Sequence, residues 1–261
     1  MQIKDGRFDG GKAFDWGRTS TDYAKYRDIY PEEFYQMLVE RKYAVKGQKV
    51  LDIGTGTGVI PRNMYRFGAD FVGTDISENQ IAQAKALSEG MNIRYIVSST
   101  EELDFEPQTF DVITASQCFF YFKKEIVYPK LASFLKGNGK LVILYMGWLP
   151  YEDDIIKASE DLVLKYNPGW SGYGEKRKKI SMPDCAADYF TVEEQVLYDV
   201  KIPFTRDTWN GRMRACRGIG ASLTDDEIES WEKEHIKLLK DIAPPEFELK
   251  HYIAMTVLKK I

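Results

Sequence analysis

The residue types best suited to chemistry lie in one glycine-rich segment, residues 51–58, with the sequence LDIGTGTG. Glycines let the backbone approach a ligand closely, because no Cβ atom intervenes. The dinucleotide fingerprint requires G-x-G-x-x-G, but counting from Gly54 places Val59 where the third glycine belongs. A P-loop is excluded because no lysine follows Gly58. The pattern is instead D-x-G-x-G-x-G, and its leading Asp52 favours a cationic ligand over a pyrophosphate.

A second candidate, Asp75, follows 21 residues beyond Gly54. A carboxylate at this position can accept two hydrogen bonds from the diol of a ribose. A glycine turn combined with such a carboxylate indicates an adenosine-bearing cofactor, without saying which one. The alternative interpretation is an ordinary tight turn followed by a solvated carboxylate at a helix entry. The pairing of the two features favours the cofactor site.

A parallel sheet would hold these residues, and the sequence predicts one. From Lys49 onward, short apolar runs alternate with segments of helical period, which is the pattern of crossover units. The apolar runs are nearly continuous, as expected when helices cover both faces of the sheet. The predicted strands are 49–53, 70–75, 93–98, 110–115 and 140–145, and the predicted helices are 59–67, 77–90 (opened by an S-x-x-Q capping box) and 125–135.

The alternation is looser beyond Tyr145. Further helices are predicted at 153–165, 207–216 and 225–240, with strands at 196–204 and over the terminal ELKHYIAMTVLKK. No linker rich in Pro, Gly or Ser separates two domains. We therefore predict one α/β domain over 1–261 with a doubly wound, Rossmann-like seven-stranded sheet, mostly parallel with an antiparallel last strand. Its predicted parts are an N-terminal helical cap (1–45), a cofactor-binding core (46–146), and a C-terminal half (147–261) with a helical lid (206–241) inserted before the last strand.

Composition and net charge limit the class of protein to which the chain can belong and the partners that it can bind. Hydrophobic residues make up 44% and charged residues 29% of the chain, which excludes disordered and disulfide-scaffold classes. The net charge of −4 disfavours nucleic acid as a partner. No apolar run approaches the roughly 20 residues of a membrane span, and the first eleven residues lack a secretory apolar region. Three separated cysteines and two separated histidines suggest reduced thiols and no metal site, so we expect a cytoplasmic protein.

Four segments resemble, in order and spacing, the motifs of class I S-adenosylmethionine-dependent methyltransferases. They are VLDIGTGTG, FVGTD, STEELDFEPQTFDVI and LKGNGKLVIL. The opening YAKYRDIYP is similar to the N-terminal segment of small-molecule members, the methyltransferase type 11-like branch. The resemblance covers about residues 23–145. It implies S-adenosyl-L-methionine (SAM) as cofactor, with methyl transfer to a small molecule and release of S-adenosylhomocysteine (SAH).

The same resemblance argues against nucleic-acid bases as acceptors. Enzymes of this superfamily that methylate base amino groups carry N/D-P-P-Y/F/W after the fourth strand, where this chain has SQCFF at 116–120. Cytosine C5 enzymes use a Pro-Cys nucleophile, and no cysteine of this chain follows a proline. A small-molecule acceptor is therefore expected.

The resemblance also implies which residues contact the cofactor, although it identifies no general base. Thr100 and Glu101 stand in for a family acid whose usual position holds Ser99. The implied contacts are Tyr26 and Arg27 with the cofactor carboxylate, Asp52 with the cationic end, Gly54, Thr55 and Gly56 with the methionine part, Asp75 with the ribose, Ile76 with the adenine face, Thr100 and Glu101 with the adenine edge, and Ser116 and Gln117 with the amino group.

Three residues outside these motifs are candidates for substrate binding: Trp209, Arg214 and Arg217. The two arginines lie three apart, so we predict that they share a helix face and grip a carboxylate or phosphate. The alternative is a solvated charged face. His235 recurs at helical spacing with apolar neighbours, which favours a packed, hydrogen-bonded histidine over a general base.

Two other functions stay open at this point. A NAD(P)-dependent oxidoreductase shares the strand, the glycine turn and the acidic residue. A non-catalytic cofactor-binding protein could have the same fold, because a fold alone does not establish chemistry. A thermal midpoint raised by NAD(P) but not by SAH would favour the oxidoreductase.

Overall fold

The computed structural model describes residues 2–261 and contains one seven-stranded sheet. Its strands are β1 (Lys49–Ile53), β2 (Asp70–Asp75), β3 (Ile93–Val97), β4 (Phe110–Ser116), β5 (Leu135–Trp148), β6 (Phe190–Thr205) and β7 (Glu246–Lys260). They lie in the order β3-β2-β1-β4-β5-β7-β6. Strands β1 to β5 pair in parallel and the last strand is antiparallel, which confirms the predicted fold class.

Eight α-helices connect or flank these strands in residues 2–261. They are α1 (Ser20–Tyr26), α2 (Glu32–Glu40), α3 (Val59–Met64), α4 (Glu78–Leu87), α5 (Lys124–Phe134), α6 (Asp154–Tyr166), α7 (Arg206–Arg214) and α8 (Asp225–Ile242). A short π-helical segment, Arg217–Ala221, follows α7. Within this described part of the chain, no helix combines the length and apolar character needed to cross a membrane.

Local sequence accounts for most element boundaries in the first half. Strand β1 is buried after Lys49, as expected for a strand covered on both faces. Helix α4 begins where the side chain of Ser77 accepts a hydrogen bond from the backbone N of Gln80 at 3.4 Å, which is the serine half of the predicted capping box. The backbone N of Ser77, which a full capping box would pair with Gln80, donates to Asp75 instead. The helix ends at Leu87, three residues before the predicted stop at Gly90.

Two strands start earlier than their apolar patterns predicted. Strand β6 begins at Phe190, six residues before the predicted start, because it forms a sheet edge whose first residues, TVEEQ, are exposed or half-buried and show no apolar run. Strand β5 begins at Leu135, five residues early. The sequence predicts that the GNG segment, residues 137–139, ends the preceding helix, but the segment lies within β5, where a register shift between Phe110 and Val112 of β4 accommodates it.

The chain forms two compact units, each built from discontinuous segments. The sheet unit consists of residues 30–146, 178–198 and 253–261, and the helical unit consists of residues 1–29, 147–177 and 199–252. Strands β5, β6 and β7 contribute residues to both units. The division into cap, core and lid over a single domain stays a prediction.

Each unit has its own apolar core. In the sheet unit, buried residues of β1, β4, β5 and α5 pack together, among them Leu51, Ile113, Tyr128, Leu131 and Leu141. The core of the helical unit is built on tryptophans. The ring of Trp209 is fully buried and meets Trp148 edge to face at 5.5 Å, and Trp231 is fully buried beside His235.

Candidate functional site

The predicted site residues of the sheet unit follow the carboxyl ends of neighbouring parallel strands. Strand β1 lies between β2 and β4, so the segments after these three strands emerge at the same edge of the sheet. The strand order also reverses between β1 and β4. Ligands of open α/β sheets bind at such a switch point, outside the carboxyl ends of the strands.

The glycine turn after β1 requires glycine for its backbone and for packing. Gly54, Gly56 and Gly58 all have positive φ angles, of 59°, 55° and 75°. A Cβ atom at Gly54 would lie 2.7 Å from Cβ of Cys118, and one at Gly58 would lie 2.3 Å from the hydroxyl oxygen of Tyr95. The sequence predicts glycines here because a ligand must approach the backbone closely. The structure gives a second reason, since the side chains of Cys118 and Tyr95 leave no space for a Cβ atom at Gly54 and Gly58.

Asp75 ties the glycine turn to the end of β2. Its Oδ2 accepts a hydrogen bond from the backbone N of Gly56 at 3.0 Å, and its Oδ1 accepts one from the backbone N of Ser77 at 2.9 Å. Burial raises the pKa of Asp75, and these two bonds oppose that shift. Each carboxylate oxygen has capacity for a second donor. The structure thus brings together the two features that the sequence had paired.

Asp52 is enclosed within the strand ends. Only 1% of its surface is exposed, and both oxygens accept threonine hydroxyls at 2.6 Å, Oδ1 from Thr114 and Oδ2 from Thr55. Burial raises its pKa to about 7, although the two hydroxyls act in the opposite direction. Asp52 therefore fixes Thr55 of the turn, while its predicted place near the cationic end of the cofactor stays a prediction.

The end of β4 supplies a polar pair that the sequence analysis identified only in part. Ser116 Oγ lies 2.9 Å from the hydroxyl oxygen of Tyr30, a residue that was not singled out although it belongs to the YAKYRDIYP segment. Gln117 has φ 64°, rare for a residue with a side chain, and its Nε2 donates to the carbonyl of Met146 at 2.6 Å. Unusual backbone angles of this kind cluster at functional sites.

The three predicted adenine contacts occupy the neighbouring loops. Ile76 follows β2 directly and is half-buried. Thr100 is buried in a single 3₁₀ turn, Thr100–Glu102. Glu101 accepts a hydrogen bond from the backbone N of Lys123 at 2.8 Å, which fixes the start of α5. Their contacts with adenine stay predictions.

Tyr26 and Arg27 belong to the helical unit. The ring of Tyr26 is buried against Gly211, where an added Cβ would lie 2.3 Å from the ring. The guanidinium of Arg27 lies 4.6 Å from the ring centroid of Tyr23 and donates to its hydroxyl at 3.3 Å. The predicted contact of Tyr26 and Arg27 with the cofactor carboxylate stays a prediction.

The shared helix face predicted for Arg214 and Arg217 is wrong. Arg214 ends α7, and Cys216 then has extended angles (φ −81°, ψ 156°), so the helix does not continue to Arg217. Arg214 forms ion pairs with Asp22 and Glu232. The solvated face, the alternative, is wrong too, because the side chains of Arg214 and Arg217 are only 24% and 9% exposed.

The other contacts in this segment are internal as well. Arg217 forms an ion pair with Asp9 at 2.8 Å, and this arginine holds the pKa of Asp9 below its usual value although burial acts to raise it. Trp209 is fully buried, and its Nε1 donates to Ser159 Oγ at 2.9 Å. Substrate contacts of Trp209, Arg214 and Arg217 stay predictions.

Sequence analysis missed Arg212, the most buried arginine of this segment. It is 5% exposed, and its guanidinium carbon lies 4.7 Å from the ring centroid of Trp148. One signal was available, because Arg212 is three residues after Trp209 and four before Cys216, which places it on the apolar side of α7.

The expectation of a packed His235 is confirmed. The residue is fully buried, with Nδ1 2.8 Å from Asn210 Oδ1 and Nε2 3.0 Å from Ser159 Oγ. Nδ1 carries the proton, because the amide nitrogen of Asn210 donates to Glu232 and leaves Oδ1 as the acceptor. Burial lowers the pKa of His235 to about 3, so the imidazole is neutral at pH 7.

Comparison with known proteins identifies methyltransferases among the proteins similar to this chain. Residues 50–139 match the family described as a methyltransferase domain. The chain is similar to a Dictyostelium discoideum protein named as a methyltransferase, with 26% identity over 51% of this chain and 49% of that protein. It is also similar to the ubiquinone biosynthesis O-methyltransferase of Aliivibrio fischeri, with 30% identity over 39% of this chain and 44% of the relative. The matches thus span less than half of each relative.

Solved structures show the same fold. The YcgJ protein of Bacillus subtilis aligns with a TM-score of 0.53 at 17% identity, over 87% of this chain and 98% of that one. The sarcosine dimethylglycine methyltransferase assigned to Galdieria sulphuraria aligns with a TM-score of 0.51 at 18% identity, over 87% of this chain and 84% of that one. At these identities the likeness shows the fold alone.

Proposed function

We propose, because this chain belongs to the class I S-adenosylmethionine-dependent methyltransferase superfamily, that it transfers the methyl group of SAM to a small-molecule acceptor and releases SAH. One observation carries the proposal. The carboxylate of Asp75 is hydrogen-bonded to the backbone of the glycine turn at Gly56, at the switch point of the sheet. A ribose-binding acid and a ligand-lining turn are thereby held in one rigid unit.

The residues present fit SAM by their chemistry. No cation forms an ion pair with Asp75 within residues 2–261, and its oxygens keep acceptor capacity for the ribose hydroxyls. The hydroxyl pair of Tyr30 and Ser116 supplies polar groups for the amino-acid part of the cofactor. Gly54 and Gly56 present backbone without side chains.

When bound, SAM supplies a methyl group already activated on a sulfonium sulfur. The residues of this chain then bind and orient rather than activate. Asp75 holds the ribose, and the turn from Gly54 to Gly56 lines the amino-acid part. Holding the reacting atoms in a near-attack geometry and excluding water supply most of the rate enhancement in such a reaction. No general base is assigned.

The acceptor is proposed as a small molecule on two grounds. The region after β4 reads SQCFF and lacks the motifs of base-modifying enzymes. The relative from Aliivibrio fischeri is named for ubiquinone biosynthesis, which supports a small organic acceptor. We also propose, on the sequence grounds above, that the protein acts in the cytoplasm without metal, membrane or nucleic acid. Methyl transfer from labelled SAM across a metabolite library tests the acceptor.

Replacing Asp75 by alanine is expected to weaken SAH binding at least tenfold, about 1.4 kcal/mol. The reason is the loss of two charge-assisted hydrogen bonds to the ribose together with the anchor of the turn. Isothermal titration calorimetry measures the affinity, and circular dichroism establishes that the variant is folded.

Asp70→Ala is the matched control for this experiment. Asp70 is an exposed aspartate at the opposite end of the same strand, so its variant should bind SAH as the wild type does. An unchanged affinity in a folded Asp75→Ala protein, or the absence of SAH binding to the wild type, would contradict the proposed function.

A further inference from the structure

Asp52 is a buried acid of the sheet unit whose charge no cation balances. Both of its oxygens accept hydroxyl groups, Oδ1 from Thr114 and Oδ2 from Thr55. Within residues 2–261 no lysine, arginine or histidine forms an ion pair with Asp52. Buried charges in proteins are ordinarily paired, so an ionised Asp52 lacks a positive charge at the end of β1.

The register of the sheet explains how Asp52 is enclosed and how it reaches the glycine turn. Its neighbour on β4 is Thr114, which supplies one hydroxyl, and its neighbour on β2 is Gly73. A Cβ atom at Gly73 would lie 2.9 Å from Oγ1 of Thr55, so glycine leaves room for the second hydroxyl. Thr55 belongs to the turn that is proposed to line the cofactor. The acid is therefore bonded to the lining of the site although it is itself sealed from solvent.

Other titratable groups act on Asp52 from the neighbouring elements. Asp75 ends β2, and after burial its charge is a further cause of the raised pKa of Asp52. Burial raises the pKa of Tyr95, in β3, to about 12 and that of Cys118, after β4, well above its usual value, and the charge of Asp52 adds to both shifts. Both groups therefore stay neutral between pH 6 and pH 8. The cation Arg62 of α3 acts on Tyr95.

We propose that the negative charge of Asp52 makes the cofactor site prefer the sulfonium of SAM over the uncharged sulfur of SAH. The carboxyl group then loses its proton to the solvent when SAM binds, and it takes up a proton when SAH replaces SAM. This inference rests on the proposed use of SAM as methyl donor. The two ligands share their adenosine and amino-acid parts and differ by one methyl group and its positive charge. A buried charge distinguishes them without contact, because Coulomb interactions are strong in a medium of low dielectric constant.

The direction of the pH dependence follows from the state of Asp52 in the free protein. Burial raises its pKa to about 7, and a cation bound beside the turn lowers it. Below pH 7 the free protein holds the proton and must release it to bind SAM, which weakens binding. Above pH 7 the carboxylate is already formed. The affinity for SAM relative to SAH therefore rises as the pH increases through 7 and is constant above it.

Calorimetry with SAM and SAH on the wild type and on Asp52→Asn tests the proposal by binding alone. Asparagine keeps the size of aspartate and one oxygen acceptor but carries no charge. Between pH 6 and pH 8, the ratio of SAM affinity to SAH affinity should rise at least about threefold more in the wild type than in Asp52→Asn. Comparing the two proteins removes the titration of the ligands' own groups.

The same titrations also count protons. At pH 6.5, measurements in two buffers of different ionisation enthalpy give the number of protons released on binding. The wild type should release more with SAM than with SAH, and Asp52→Asn should lack this excess. Equal proton release with the two ligands in the wild type, or an equal pH dependence in the two proteins, overturns the proposal.

Asp70→Asn is the matched control, because it removes one aspartate charge at the exposed, opposite end of β2. Its affinity ratio should change with pH as that of the wild type does. If Asp52→Asn does not fold, Thr114→Val serves as the second variant. It removes a hydroxyl that lowers the pKa of Asp52, so the rise in the ratio should move to higher pH. A rise that stays at the same pH overturns the proposal equally.

The outcomes separate this proposal from the proposed function. If the wild type binds neither SAM nor SAH, methyl transfer is contradicted, and the role of Asp52 with it. If the wild type binds both ligands with a ratio that does not depend on Asp52, only the role of Asp52 is overturned. If Asp52→Asn binds neither ligand although circular dichroism shows it to be folded, Asp52 maintains the shape of the turn, which also overturns its role in discrimination.

Discussion

Alanine at Gly54 is expected to lower the free energy of unfolding by about 3 kcal/mol and to abolish measurable SAH binding. A side chain at φ 59° is strained by about 1–2 kcal/mol. The added Cβ would also lie 2.7 Å from Cβ of Cys118, and the ring of Phe122 stands behind it at 3.5 Å. Cβ of Cys118 is fixed to the backbone, so relieving this contact requires the backbone of the turn or of Cys118 to move. Urea unfolding measures the first effect and calorimetry the second.

Gly90→Ala is the matched control for the Gly54 variant. Gly90 has φ 81°, and no atom lies within 4 Å of the Cβ that alanine would add. Gly90→Ala should therefore lower the free energy of unfolding only by the backbone strain, about 1–2 kcal/mol, and the variant should bind SAH with the affinity of the wild type. Equal destabilisation by the two variants would show that the contact with Cys118 does not constrain the turn.

Acid is expected to weaken the contribution of His235 to stability. In the folded protein the pKa of His235 is about 3, below the 6.5 of an exposed histidine. Between these values the unfolded chain binds a proton that the folded chain does not. The stabilisation is therefore complete above pH 6.5 and is lost as the pH falls. At pH 5 the loss is about 2 kcal/mol, from 1.36 kcal/mol per pH unit.

The wild-type curve alone does not isolate this effect. Burial raises the pKa of Asp52 and of Glu160 to about 7, and a raised carboxyl pKa gives stability that increases as the pH falls. His251, whose pKa burial also lowers to about 3, acts in the same direction as His235. A difference between two proteins that share all other groups removes these contributions.

His235→Gln provides that difference. Its destabilisation relative to the wild type, measured by urea unfolding, should be about 2 kcal/mol smaller at pH 5 than at pH 8. The chain has two histidines, so the NMR resonances of the two imidazole rings can be followed individually. Both rings should stay neutral at pH 5. A resonance of His235 that titrates near pH 6.5, or a destabilisation independent of pH, would contradict this assignment.

The parts of the fold that the sequence predicted are those with local signals. Strands β1, β2 and β4 are buried on both faces, so their apolar runs mark them clearly. The start of β6 was missed because an edge strand carries polar residues on its exposed side. The pairing of Gly54 with Asp75 was recognisable because the turn and the strand end lie within one crossover unit of the chain.

The arginines of the helical unit show where sequence reasoning ends. Arg212, Arg214 and Arg217 are equivalent by residue type, and their spacing singled out the latter two. Their environments are set by partners far away in the chain, Asp9 for Arg217 and Trp148 for Arg212. A pattern within one helix cannot report which arginine faces a carboxylate contributed by another segment, so the buried, unpaired one emerged only from the tertiary contacts.

The discontinuous build of the two units restricts how the protein can be assembled or re-engineered. Each unit takes three separate stretches of chain, and residues 253–261 belong to the sheet unit although residues 199–252 belong to the helical unit. The helical unit is complete only when residue 252 has been synthesised and the sheet unit only when residue 261 has, so no contiguous stretch confined to one unit contains all of either unit. Grafting the helical unit onto a relative would need several simultaneous junctions, whereas point changes around Arg212 leave the chain path intact.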